Sequence, residues 1–73
     1  MGLMDARVGQ VVRVLGFRDR TVSEKLHRLG LYAGDELKLL RKAPLGGPVM
    51  VSAGGREVAL GRGVAEKITV ELV

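Results

Sequence analysis

The sequence predicts a mainly β domain: five short strands in one strongly bent antiparallel sheet closing on itself, with a single short helix inserted after the first strand. Three observations carry this. Apolar and polar residues alternate over 10–15, 36–42, 49–53, 56–60 and 67–72, the period of half-buried strands. Gly54-Gly55 separates two of those runs at the spacing of a two-residue hairpin. Only over 21–29 does the period lengthen, with Val22, Leu26 and Leu29 at i, i+4 and i+7 of a helical stripe. The chain has 73 residues, no internal repeat and no linker, which makes it one domain, 1–73. So little material suits a bent sheet closing on itself better than a sandwich.

Taken in order, Met1 to Arg7 is a short mixed lead-in whose Leu3 and Met4 are expected to pack across the bottom of the core. The first strand is expected over Gln10–Leu15, with Val12 and Val14 inward and Arg13 outward. Gly16 to Arg20 shows no period and reads as the loop into the helix, with Phe17 packed on that helix. Thr21 and Glu24 stand at the spacing of a reciprocal capping box. Gly30 supplies the left-handed residue that ends the helix, and Leu31 then packs back on Leu26 in a Schellman ending. Ala33-Gly34 fits the centre of a type II turn. In the second strand, Glu36–Lys42, Leu37 and Leu39 point inward and Leu40 is partly exposed. Ala43 to Pro48 is a loop, since two prolines and two glycines do not belong in a central strand. The hairpin register pairs Val49 with Leu60, Val51 with Val58 and Ala53 with Arg56, all on one face. Gly61 to Glu66 is a connection with one turn of 3₁₀ helix. The last strand, Lys67–Leu72, directs Ile68, Val70 and Leu72 inward.

Composition narrows the function. There are 0 cysteines, which excludes a disulfide, a thiolate metal site and a cysteine nucleophile. No apolar run approaches the roughly 20 residues of a membrane span, and the first residues lack a signal-peptide pattern. The net charge of +4 invites a nucleic-acid reading, but the 12 basic and 8 acidic residues are interleaved, as in Arg18-Asp19-Arg20 and Glu66-Lys67. Phe17 and Tyr32 are the only aromatics, too few for a single-strand stacking platform.

Converging catalytic groups are absent from the pattern. His27 is the only histidine, and on a helix Glu24 shares its face, yet no nucleophile completes a set. As a metal site, His27 and Glu24 are weak candidates, short of the three or four ligands a transition metal needs. Glu24 and Arg28 more simply form a surface pair. Gly54-Gly55 and Gly61-x-Gly63 are turns rather than phosphate loops, because no Lys-Ser/Thr and no long helix follow.

Four motifs in order, Leu26-x-x-Leu29-Gly30-Leu31-x-x-Gly34, Ala43-Pro44-Leu45-Gly46-Gly47-Pro48, Gly55-Arg56-x-Val58-Ala59-Leu60 and Ala65-x-x-Ile68-x-Val70, resemble the FeoA family of small cytoplasmic proteins of ferrous iron uptake. The resemblance spans Leu3 to Val70. It implies an SH3-like β-barrel and a non-enzymatic accessory role, with no cofactor. It also implies binding to the cytoplasmic region of FeoB, the membrane transporter with a GTP-hydrolysing domain, and transition-metal binding at the family level. Members usually carry Pro where this chain has Ala33, and often Asp at Gly47 and charge at Gly61 and Gly63.

The expected partner surface is the helix with its flanking turns, Leu26, Arg28, Leu29, Leu31 and Tyr32, joined by Pro44, Leu45 and Gly46. Burial in the core is the competing role for Leu29 and Leu31. No nucleic acid is expected; the membrane enters only through the transporter, and self-association stays open. The rival functions are a basic nucleic-acid-binding barrel and a metal-responsive domain acting through His27, related to the C-terminal domain of metal-dependent repressors.

Overall fold

A computed structural model describes all 73 residues. After a 3₁₀ turn at Leu3–Asp5 come β1 (Val11–Phe17), helix α1 (Arg20–Arg28), β2 (Glu36–Lys42), β3 (Val49–Ala53), β4 (Arg56–Leu60), the one-turn helix α2 (Arg62–Ala65) and β5 (Ile68–Leu72). The strands form one antiparallel sheet in the order β4-β3-β2-β1-β5. Its edges are β4 and β5, so the bent sheet is an open barrel. Met1 and Gly2 lie along the β5 edge, where the Met1 carbonyl accepts from the Val70 N–H at 2.8 Å and Gly2 bridges Thr69.

Alternation sorts the side chains as expected. Val12, Val14, Leu37, Leu39, Val49, Val51, Leu60, Ile68 and Val70 are each at most 1% exposed. Val22 and Leu26 of α1 and Leu3 of the lead-in close over them, with Met4 packed at the margin. Every buried residue is aliphatic and none is polar or charged. Such a core holds the fold by apolar burial alone, about 1.5–3 kcal/mol for each large side chain.

The β3–β4 register is the expected one, Val49↔Leu60, Val51↔Val58 and Ala53↔Arg56. Gly54 and Gly55 take φ of 57° and 82°, the positive pair a type I′ turn requires. The end of α1 also matches. Gly30 has φ 80°, its N–H donates to the His27 carbonyl, and the Leu31 N–H reaches back to the Leu26 carbonyl at 2.8 Å, the Schellman pair. Gly34 has φ 96°, and the Asp35 N–H closes the turn on the Tyr32 carbonyl.

Four expectations are corrected. The helix is capped by Asp19, whose Oδ1 accepts from the Val22 N–H at 2.9 Å, and Thr21 with Glu24 lies inside the first turn. Asp19 wins because its other oxygen receives Lys67 Nζ at 3.1 Å, which ties the helix start to the lead-in of β5. The first strand runs on through Gly16 and Phe17, since a bulge opposite β5 between Val14 and Gly16 breaks the alternation without ending the pairing. The connection before β5 holds one α turn, with the Ala65 N–H donating to the Gly61 carbonyl. Leu72, the last residue of β5, is 52% exposed, because it lies beyond Ile68 and Val70, where the core's cover stops.

Candidate functional site

Two surface regions hold the residues singled out from the sequence. At the end of α1, Leu26 and Leu31 are 1% exposed and belong to the core, which removes both from any contact surface. The Schellman ending requires this, since it folds Leu31 back over the last helical turn. Leu29 is half-buried against the core, whereas Arg28 and Tyr32 are exposed.

His27 lies between the two aromatics. Its ring stacks on Tyr32 with centroids 4.7 Å apart and an interplanar angle of 20°. Phe17 meets its other flank at 5.9 Å and 82°, an edge contact. Tyr32 is fixed from its backbone side as well, its N–H donating to Asp35 Oδ2 at 2.8 Å. Ser23 Oγ stands 3.5 Å from His27 Nε2, beyond the 2.6–3.2 Å reach of a working nucleophile and base. Nor do three His, Asp or Glu side chains come together as a metal would need. The aromatic cluster was illegible in the sequence, because Phe17 sits ten residues before His27 and reads as loop.

The second region is the β2–β3 connection. The Ala43 N–H donates to the Pro48 carbonyl at 2.9 Å and the Gly47 N–H to the Pro44 carbonyl at 3.1 Å, so the hairpin continues through both prolines. Its two-residue tip is Leu45-Gly46, with φ of 58° and 75°. Leu45 is the only non-glycine residue of the chain in the left-handed region, and its side chain is fully solvent-exposed. Holding leucine there costs on the order of 1–2 kcal/mol. Arg62 braces the arm from α2, its Nη2 donating to the Ala43 carbonyl at 3.1 Å and its Nε to the Gly47 carbonyl at 3.4 Å. Gly47 must be glycine here, since a Cβ would stand 2.8 Å from that of Ala43.

These regions lie at opposite ends of β2, roughly 20 Å apart along seven strand residues. The turn residues and the Pro44–Gly46 loop therefore form two separate patches.

Charge is distributed differently from what the composition suggests. Arg56 donates to the Leu29 carbonyl at the negative end of α1. Lys42 Nζ donates to the Met4 carbonyl at 2.9 Å, Arg62 holds the loop, Lys67 meets Asp19, and Arg13 pairs with Glu36 at 3.2 Å. Five of the 12 basic side chains thus serve the fold. The Asp19 carboxyl is held below the usual carboxylate range, chiefly by the Val22 N–H and then by Lys67. A cleft of about 430 Å³ beside Gly30 is lined by Asp35, Glu36 and Arg56. Another of about 580 Å³ between α1 and α2 is lined by Asp19, Val22, Lys25, Val64 and Lys67. No helix is long and apolar enough to cross a membrane.

Fold and site define an SH3-like β domain with a helical insertion, in which three of the basic side chains are directed onto the domain's own backbone. Residues 1–72 match the model of the FeoA domain, and the chain belongs to the FeoA family. A Methanocaldococcus jannaschii protein named provisionally as an Fe(2+) transport protein A is 42% identical over 48 residues, 66% of this chain and 56% of that one. The solution structure of FeoA protein from Chlorobium tepidum superposes with a TM-score of 0.88 at 36% identity, covering 100% of this chain and 70% of that one. A manganese-dependent transcriptional repressor shares the fold at 21% identity and a TM-score of 0.88, this chain covering 41% of it.

Proposed function

We propose that the chain is a non-enzymatic cytoplasmic accessory protein of ferrous iron uptake that binds the cytoplasmic region of the FeoB transporter. The observation that carries this is the family match over residues 1–72, together with relatives named for iron(II) transport. The site's chemistry supports it: an entirely aliphatic core and no nucleophile within reach of a base favour holding a partner over bond-making. The contact residues are Arg28, Leu29 and Tyr32 at one end of β2 and Pro44, Leu45 and Gly46 at the other, with Leu26 and Leu31 supporting the first patch from behind. A standard interface of roughly 800 Å² per partner is wide enough to reach both.

The test is complex formation between this protein and the cytoplasmic region of the transporter from the same source, followed by titration calorimetry. Binding at micromolar concentration is the expected result, and Arg28→Glu weakens it while leaving the melting temperature unchanged. No complex at 100-fold higher concentration overturns the reading.

A further inference from the structure

We propose that Leu45 is the anchor of the partner contact, a preformed apolar knob that enters an aliphatic pocket with an acidic rim on the transporter, and that Arg62 is the positioning residue that holds it out. This rests on the reading above and names the surface and the chemistry it needs.

Two unfavourable features coincide at this one residue. Leu45 has φ 58°, a conformation that glycine adopts freely and leucine does not, and its side chain touches nothing in the domain. Nothing inside the fold requires it. The same turn geometry is built with Gly54-Gly55 one hairpin later, so a glycine at 45 would close the chain equally well. A strained residue that gains no internal contact is explained by something it meets outside.

The surroundings say what that is. Pro44 and Pro48 stiffen the arm, the Ala43–Pro48 and Pro44–Gly47 hydrogen bonds fix its width, and the Arg62 fork ties it to α2. The side chain is thus presented with little freedom left to lose, which a shaped protein pocket rewards and a fluid bilayer does not. No acidic residue lies between Leu37 and Ala53, and Arg41 and Lys42 stand at the base of the arm where it leaves β2. The pocket's rim is accordingly acidic.

The experiment titrates the transporter's cytoplasmic region with the wild-type protein and with Leu45→Gly, Leu45→Met and Arg62→Met, recording affinity and melting temperature for each. Leu45→Gly is expected to lower affinity at least about 10-fold, the scale of one buried aliphatic side chain, with the melting temperature unchanged or raised. Leu45→Met keeps affinity within about 3-fold, because it preserves volume and apolarity. Arg62→Met lowers affinity about 3- to 10-fold by freeing the arm while the apolar tip remains. Wild-type affinity in Leu45→Gly overturns the proposal and leaves the functional reading standing. Failure of the wild-type protein to bind overturns both. Sedimentation with phosphatidylglycerol vesicles that depends on Leu45, without binding to the transporter region, replaces the protein pocket by a lipid surface.

Discussion

The two hairpins that share β3 turn on the same backbone with different side chains. At Gly54-Gly55 the positive φ values fall on residues that adopt them without penalty, and the tip carries nothing. At Leu45-Gly46 one of those positions holds a bulky side chain that is strained and wholly exposed. The first turn answers only to the chain that must fold. The second keeps a strained residue that gains no contact inside the fold, the feature from which a partner contact is proposed.

The largest effect sharpens the contrast between leucines. Leu26→Ala opens a cavity under α1 and is expected to lower unfolding free energy by about 2–5 kcal/mol in urea titrations. Leu45→Ala, with no contacts to lose, stays within about 0.5 kcal/mol. Equal losses at both positions would erase the distinction between core and presented leucine.

Gly30→Ala comes next. Its φ of 80° resists a side chain, and a Cβ would stand 2.5 Å from Arg56 Nη2, so the guanidinium must also leave the Leu29 carbonyl. The expected loss is about 2 kcal/mol, against about 1 kcal/mol for Gly46→Ala, where a Cβ meets open space. Transferring leucine to the plain turn as Gly54→Leu should cost about 1–2 kcal/mol, measured by the same titration. A neutral Gly54→Leu would show that the left-handed leucine is unstrained, and the comparison of the two tips would lose its basis.

The smallest effect is acid dependence. The Asp19 carboxyl titrates lower folded than unfolded, so its contribution is complete above about pH 4 and is lost as pH falls through the folded value. Asp19→Asn is expected to flatten the decline of the urea midpoint below about pH 4, and a parallel decline in both proteins would remove Asp19 from the account.

Most of the fold was legible because its signals are local and agree. Gly54-Gly55 and the flanking alternation both dictate Val51 opposite Val58, and Leu26, Gly30 and Leu31 stand at the spacing of a Schellman closure. What escaped was decided at long range. Asp19 and Thr21 are both cap-forming residue types, and the Asp19 cap is reinforced by Lys67, 48 positions away. The bulge at Gly16 disguised Phe17 as loop and so hid its contact with His27. Periodicity places Leu72 on the inner face but does not tell that the core's cover stops at Val70. Which of the expected surface residues are exposed was half legible. Composition picked out the loop at Pro44–Gly46, but counting apolar residues near a helix end also recruited Leu26 and Leu31, which the helix ending had already drawn inside.

The arginine and lysine links to main-chain oxygens, Arg56 to Leu29, Arg62 to Ala43 and Gly47, and Lys42 to Met4, carry one more consequence. They join a cation to a neutral dipole at contact distance, over a gap much shorter than the roughly 10 Å Debye length of a 0.1 M electrolyte. Mobile ions do little to attenuate such links up to about 0.1 M salt, so the domain should keep its shape from dilute to physiological buffer. Engineers who recolour its exterior toward acidity would be pulling out rivets.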